Sequence, residues 1–301
     1  MQAERSPTTP LGARVDSVAL QRVCARVLGA RGAPWLHQEA ARRMAERLPL
    51  IKRQPAMVLD WSGPWGASAP MRQTYPSARH CVVTSHGAAP GAAPTSPRRW
   101  WNRRPVRTPV IEMVDEPAVP ANAAELLWSN MRLHGDADPV ALFEQWHRAL
   151  AVDGFLMFST LGPGSLPELR ALYRAQGWGE PFAPFVDMHD LGDLLVQAGF
   201  ADPVMDQELL TLTWPDARSL LNELRGLGGN VSPHRYAGLR TPRWRQRLIE
   251  SLQQQAVDGR PALTFELVYG HAFKVAPRPR MQAQTAVSLD EMRAMVRLSR
   301  P

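Results

Sequence analysis

Residues 58–66, Val-Leu-Asp-Trp-Ser-Gly-Pro-Trp-Gly, have the layout of a strand that runs into a ligand-binding loop. An apolar run ends in the acid Asp60, and Gly63 and Gly66 precede a segment that can form a helix. Glycines in such a turn let backbone N–H groups approach a nucleotide-like ligand closely. The proline and tryptophan between the glycines depart from this pattern, because proline lacks a donor and only glycine adopts positive φ angles freely. The loop is therefore predicted either to have a conformation different from the usual glycine-rich loop or to have lost the ability to bind its ligand.

Short apolar runs alternate with segments of helical periodicity along most of the chain. The runs predict strands at 56–61, 80–85, 109–114, 125–131, 154–161, 202–214 and 263–275. The periodic segments predict helices at 15–29, 34–48, 138–152, 165–176, 189–198, 215–227 and 243–255. Asp138 and Ser165 are predicted to cap the helices that follow them. This alternation indicates an α/β fold with a parallel sheet covered on both faces.

The composition is that of an ordinary globular protein. The 301 residues are 45% hydrophobic and 21% charged, which allows one large α/β domain with an insertion or two domains. No apolar run approaches the roughly 18 residues of a membrane span, and the first residues lack the order of a secretory signal. Only Cys24 and Cys81 are present, which predicts a cytoplasmic protein with two small core thiols and no metal site built on thiolates.

The formal charge of +7 raises the question of a nucleic-acid partner. Only Lys52 and Lys274 are lysines among 35 basic residues, so the charge reflects an arginine-rich composition rather than selection for phosphate contacts. The exception is local, since residues 98–104 interleave arginine with tryptophan as single-strand-binding surfaces do. Two interpretations of this run stay open: a solvated connector that covers the sheet edge, or a nucleic-acid patch, which is the less favoured one.

Several blocks of the sequence carry a resemblance to a known family. They include LLWSNM at 126–131 and ALAVDGFLMFSTLGPGSLPEL at 149–169, with further blocks at 185–195, 198–206, 220–230 and 263–270. In this order they resemble class I S-adenosylmethionine-dependent methyltransferases, and among these the malonyl-acyl-carrier-protein O-methyltransferases of biotin synthesis. The resemblance covers about residues 15–275.

The resemblance implies an architecture. It is a Rossmann-like sheet of about seven strands with the last one reversed, helices on both faces, and S-adenosylmethionine across the carboxyl ends of the strands. A helical insertion at about 215–260, between the last two strands, would cap the substrate. The methyltransferase domain is predicted to span 15–276, with a disordered N-terminus at 1–14 and a peripheral tail at 277–301.

The resemblance also implies cofactor-binding residues at the ends of the strands. They are Asp60, Trp61, Ser62, Gly63, Gly66, Ser85, Asp115, Ser129 and Asn130. The first loop departs from the family pattern Asp-x-Gly-Cys-Gly-Thr-Gly. Thr84 and Ser85 stand where the family has an acid for both ribose hydroxyls, and a hydroxyl cannot replace a bidentate carboxylate. Asp115 matches the acid that meets the adenine amino group, or else is a turn residue before a proline.

Substrate contacts are predicted after the fourth strand. Arg132 could clamp a carboxylate with its planar guanidinium, and His134 would face the same cleft, although either could be a surface side chain. His37 is predicted on a helix surface. His189 follows Asp187 at a helix start, which favours a cap over a metal ligand. No catalytic nucleophile stands out, and none is required to methylate a carboxylate.

The sequence is compatible with three candidate functions. The first is a methyltransferase acting on the free carboxyl of malonyl-acyl-carrier protein, whose acidic surface would suit a basic partner. The second is a catalytically inactive relative with a binding or regulatory role. The third, a nucleic-acid methyltransferase or binder, rests only on the arginine run. The first is favoured because the later blocks are intact.

Overall fold

The computed structural model describes residues 15–28, 32–62, 66–84 and 112–276. The helices in these ranges are α1 (Ser17–Leu28), α2 (Trp35–Arg47), α3 (Ala69–Thr74), α4 (Pro139–Ala149), α5 (Pro167–Gln176), α6 (Met188–Gln197), α7 (Ala217–Leu227) and α8 (Pro242–Gln254). The strands are β1 (Met57–Asp60), β2 (Arg79–Thr84), β3 (Glu112–Asp115), β4 (Ala124–Asn130), β5 (Leu150–Leu161), β6 (Ala201–Thr213) and β7 (Ala262–Phe273). The predicted α/β alternation is therefore confirmed.

The strands form one sheet in the order β3-β2-β1-β4-β5-β7-β6. Strands β1 to β5 are paired in parallel, whereas β7 runs antiparallel to both β5 and β6. This is the Rossmann-like arrangement with a reversed last strand that the resemblance implied. The chain order changes direction between β1 and β4, and the carboxyl ends of strands at such a point form a crevice where ligands bind in open α/β sheets.

Both faces of the sheet are apolar, because a parallel strand buries its alternate side chains on opposite sides. Val58 belongs to the core cluster that contains Met44 of α2, whereas its neighbour Leu59 belongs to the cluster that contains Trp146 of α4. All four side chains are nearly inaccessible to solvent. The two clusters fix the central strands, and with them the positions of the loops at the carboxyl ends.

The boundary between α4 and β5 differs from the prediction. Asp138 caps α4 as expected, since its side chain accepts a hydrogen bond from Ala141 N. The helix ends at Ala149 rather than at 152, because Leu150 is buried and already pairs with Ala124 of β4. The predicted strand start at 154 is therefore four residues too late.

The predicted capping role of Ser165 is wrong. Helix α5 begins after Leu166, a residue with a φ of 55°, and no side chain caps it. Ser165 Oγ instead accepts a hydrogen bond from Glu266 N at 3.0 Å and donates one to Glu266 O at 3.2 Å. The hydroxyl is used to join the loop after β5 to β7, so it cannot serve α5.

Helices α7 and α8 lie between β6 and β7, where the insertion was expected. Asp216 caps α7 and Thr241 caps α8 through their side-chain oxygens. The domain limits and the capping role of this insertion remain predictions, and residues 1–14 and 277–301 lie outside the described ranges.

Cys81 is buried as expected. None of the helices in the described ranges is long and apolar enough to cross a membrane.

Candidate functional site

Asp60, the last residue of β1, anchors the loop that follows it. Its side chain is buried, with 2% of its surface exposed. Oδ1 accepts a hydrogen bond from Ser62 N at 3.0 Å, and Oδ2 accepts one from Ser68 Oγ. Burial raises the pKa of this carboxyl, although the hydrogen bonds from the two serines oppose the shift. The acid therefore holds both ends of the loop against the end of β1.

Asn130, the last residue of β4, joins four parts of the site. Its backbone N–H donates to Ser62 Oγ at 2.6 Å. Its side-chain Nδ2 donates to His37 O at 2.8 Å and to Gly66 O at 2.7 Å, and its Oδ1 accepts from Ser159 Oγ at 2.6 Å. The side chain is buried and both of its N–H groups are used. Asn130 thus fixes the first loop, α2 and β5 around the end of β4.

Gly66 is required at its position by a close approach. A Cβ atom there would collide with Ser62 and would lie 2.6 Å from Ser62 Oγ. Ser62 occupies the place of the first glycine in the family loop, so the remaining glycine accommodates it. Gly63 lies outside the described residues. The described residues show close packing of Gly66 on Ser62, and both predicted outcomes for the loop stay predictions.

The side chain of Trp61 packs into the core. It is fully buried in the cluster that contains Cys81 and Val83 of β2, and its Nε1 has no hydrogen-bond partner in the described structure. Its backbone N–H donates to Trp128 O at 2.7 Å. This backbone bond continues the pairing of β1 with β4, and cofactor binding by Trp61 stays a prediction.

Asp115 ends β3 directly beside the end of β2. Thr84 and Asp115 are paired in the sheet, and Thr84 Oγ1 donates to Asp115 Oδ1 at 2.8 Å. The Asp115 side chain is exposed and makes no capping hydrogen bond to the short 3-10 turn that follows. Asp115 directly precedes that turn, so its interpretation as a turn residue and its interpretation as a cofactor ligand both stay predictions. Ser85, predicted at this edge, lies outside the described residues.

Ser129 lies one residue before Asn130 in β4. It is fully buried, and its Oγ has no hydrogen-bond partner among the described residues. A buried hydroxyl without a partner costs free energy, and ligand sites are among the places where such a group is retained. The next residue after Asn130, Met131, has a φ of 54° and donates its N–H to Ser159 O at 3.0 Å. The chain therefore turns sharply at this end of β4.

Arg132 and His134 follow that turn, but their surroundings differ. Arg132 forms ion pairs with Asp136 at 3.4 Å and with Glu116 at 3.7 Å, so part of its charge is already compensated. His134 Nδ1 lies 3.4 Å from Thr160 Oγ1, and its ring meets Phe185 edge-on with centroids 6.0 Å apart. Burial, with a smaller repulsion from His37, lowers the pKa of His134 to about 3. His134 is therefore neutral at physiological pH.

The prediction that His37 lies on a helix surface is wrong. Only 5% of its surface is exposed, because α2 packs against the sheet through Leu36 and Ala40 on either side of it. Its carbonyl oxygen binds Asn130, and its imidazole lies close enough to His134 to lower the pKa of that group. Helix α2 thus covers the carboxyl end of β4.

Gly162 and Gly164 enclose a carboxylate that the sequence pattern did not reveal. A Cβ at either glycine would lie about 2.7 Å or less from Glu266 Oε2. Gly164 N donates to the same oxygen, and Glu266 is buried in β7.

The sequence analysis also did not predict the roles of Ser68 and Ser159, since a single serine in an apolar segment has no distinctive pattern.

Asp187 caps α6 as predicted. Its Oδ1 accepts from His189 N at 2.8 Å, and the imidazole Nδ1 of His189 lies at the same distance from it. In the described parts of the chain no group of three or more His, Cys, Asp or Glu side chains could hold a metal ion. The arginine–tryptophan run at 98–104 falls outside those parts.

Comparison with known proteins identifies the family. The malonyl-[acyl-carrier protein] O-methyltransferase of Gallionella capsiferriformans is 39% identical over 272 residues, which cover 88% of this chain and 93% of that relative. The chain belongs to the malonyl-[acyl-carrier protein] O-methyltransferases. The family member from Laribacter hongkongensis is 37% identical and covers 81% of this chain and 84% of its own length.

Two other comparisons add nothing to this assignment. No family model matches the chain. The solved structure of the YcgJ protein from Bacillus subtilis covers 80% of this chain and all of its own length, at 10% identity and a TM-score of 0.49. That likeness is too slight to carry a conclusion. The family membership therefore rests on the sequence relatives, and the fold on the strand order described above.

Proposed function

We propose that this protein transfers the methyl group of S-adenosylmethionine to the free carboxyl of a malonyl group carried by acyl carrier protein, as a step of biotin synthesis. The observation that carries this proposal is the match to relatives of that name along nearly the whole chain. A cytoplasmic location is part of the proposal. Its support is the free thiol of Cys81, which suits a reducing compartment.

The residues at the crevice fit the proposed cofactor. The resemblance places an acid at the end of β2 for the ribose, where this chain has Thr84. Asp115 would supply a carboxylate beside that position, because its exposed side chain accepts a hydrogen bond from the Thr84 hydroxyl. Asp115 would accept hydrogen bonds from the adenosine part of the cofactor. Ser129, with its unpartnered buried hydroxyl, would serve the methionine part. When bound, S-adenosylmethionine supplies an electrophilic methyl carbon on a sulfonium.

The chain's own contribution is position and exclusion of water. A malonyl carboxyl is ionised at neutral pH, so its oxygen is already a nucleophile and needs no general base. His134 is neutral, so it can donate a hydrogen bond to that oxygen without holding it in an ion pair. Helix α2 lies over the crevice, where His37 O accepts a hydrogen bond from Asn130 of β4, and it would shield the reacting atoms from water. These roles explain why no nucleophile motif is needed.

Calorimetric titration with S-adenosylmethionine, followed by methyl transfer to malonyl-acyl-carrier protein, tests the proposal. We expect saturable binding and a product that is the methyl ester of the malonyl carboxyl. Absence of binding at millimolar cofactor would contradict it and favour the catalytically inactive alternative. Binding without transfer to this acceptor would retain the cofactor and reject the proposed substrate.

A further inference from the structure

A small pocket at the carboxyl end of α5 has the chemistry of an anion site. It has a volume of about 170 Å³ and is lined by Arg170, Tyr173, Arg174, Gly177, Gly179, Glu180 and Pro181. Arg170 and Arg174 are one helical turn apart, so both can reach the same pocket. Neither arginine forms an ion pair with any carboxylate in the described ranges, including Glu180 in the same pocket. Within the described residues the pocket therefore holds two guanidinium groups without an ion-pair partner and one carboxylate.

Tyr173 adds a fixed hydrogen-bond donor to the same pocket. Its hydroxyl makes no hydrogen bond to another described residue. Its ring is held edge-on by Trp178, with centroids 5.5 Å apart, and by Trp244 of α8 at 6.2 Å. Burial raises the pKa of Tyr173, so the hydroxyl keeps its proton at neutral pH. Two guanidinium groups and one hydroxyl suit a phosphate group, whose oxygens accept several hydrogen bonds.

A row of aromatic side chains connects this pocket with the crevice. The guanidinium of Arg170 lies 5.0 Å from the ring centroid of Phe182. Phe182 is stacked on Phe185 with centroids 5.3 Å apart, and Phe185 meets His134 at 6.0 Å. Both phenylalanines are only partly buried. An anion in the pocket can therefore belong to an elongated molecule whose other end reaches the site beside His134.

We propose that this pocket binds the phosphate of the phosphopantetheine arm on which the carrier protein holds its malonyl group, and that the arm crosses Phe182 and Phe185. This inference rests on the proposed function, because it takes the acyl carrier protein as substrate. It identifies the arm's phosphate, rather than the protein surface of the carrier, as the group recognised at Arg170 and Arg174.

Binding of 4′-phosphopantetheine and of dephosphorylated pantetheine to the full chain tests the phosphate directly. The unmodified protein is expected to bind the phosphorylated compound about tenfold more tightly, as hydrogen bonds to a charged group allow. Arg174→Gln is the main variant, since Arg174 is exposed and its loss leaves the core intact. It is expected to remove most of this preference. Arg148→Gln on α4 is the matched control, because Arg148 is also exposed and without an ion pair among the described residues; it should retain the preference.

Turnover separates this inference from the proposed function. In Arg174→Gln we expect the KM for malonyl-acyl-carrier protein to rise about tenfold, whereas the KM for malonyl-N-acetylcysteamine, which lacks the phosphate, is unchanged. Equal binding of the two pantetheine compounds by the unmodified protein would overturn the pocket assignment even if methyl transfer occurs. A phosphate preference that Arg174→Gln removes, without any methyl transfer, would support the pocket and reject the proposed reaction.

Discussion

Gly66 is the residue at which the role of the first loop can be tested most directly. Its backbone needs no left-handed φ, so the constraint is steric. In Gly66→Ala the new methyl group would collide with Ser62, and relief would require the loop to leave Asn130. We expect at least roughly tenfold weaker binding of S-adenosylmethionine by calorimetry and a free energy of unfolding lower by about 1–3 kcal/mol.

Gly135→Ala provides the matched control, because a Cβ at Gly135 would meet no atom within 4 Å. Gly135 ends the short turn that carries His134 after β4. It therefore lies at the same edge of the sheet as Gly66, where the parallel strands end. Unchanged cofactor affinity in Gly66→Ala, with the control also unchanged, would show that the first loop does not contact the cofactor.

The sequence predicted which strand ends carry polar side chains, but not how those side chains are used. Asp60, Ser62, Gly66 and Asn130 were all expected at the carboxyl edge, and the structure brings them together. The engagement of Asn130 by α2 was not foreseen, because its partner His37 lies 93 residues away in sequence. Such contacts depend on how α2 packs on the sheet, and no local pattern encodes them.

Helix α2 is held over the crevice by ion pairs to the far end of the sheet. Arg43 Nη1 lies 2.5 Å from Glu208 of β6, and Tyr269 of β7 donates its hydroxyl to the same carboxylate at 2.5 Å. Burial and the neighbouring Glu208 raise the pKa of Tyr269, so it remains a donor. Arg47 also pairs with Asp206 at 2.6 Å. These contacts fix the helix whose His37 meets Asn130.

Arg43→Ala should weaken the attachment of helix α2 to the sheet. We expect faster amide hydrogen exchange in α2, with exchange in α6 unchanged, and a stability loss of about 1 kcal/mol, since the Arg43–Glu208 pair is only partly exposed. Arg42→Ala is the control, because Arg42 is more exposed and pairs with Glu39 and Glu46 of its own helix. Equal exchange in both variants would mean that the bond to Glu208 does not hold α2.

Element types were predictable because strand and helix periods differ, yet two element ends were not. The polar and glycine residues at 153–154 suggested that β5 starts there, whereas pairing of Leu150 with Ala124 starts it earlier. Ser165 has the residue type of a helix cap, but its hydroxyl bonds the backbone of Glu266. In both cases a contact with a distant strand overrides the local preference.

At the scale of the whole molecule, buried and partly buried histidines make the fold sensitive to mild acid. Burial lowers the pKa of His80, His147 and His271, and lowers that of His134 to about 3. In the unfolded chain a histidine titrates near pH 6.5. Below that pH the histidines of the unfolded state bind protons that those of the folded state do not bind. The free energy of unfolding therefore falls as the pH falls.

The contribution of His134 to this sensitivity can be isolated with His134→Gln. We expect the urea midpoint of the unmodified protein to fall between pH 7.5 and pH 5, a window that lies above the pKa of about 3 in the folded state and includes the unfolded value near 6.5. The fall should be smaller in His134→Gln, because glutamine takes up no proton in either state. His234→Gln, which changes an exposed imidazole without a side-chain hydrogen bond or ion pair among the described residues, should leave the fall as large as in the unmodified protein. An equal fall in all three proteins would show that His134 is protonated in the folded state and therefore is not held in a dry crevice.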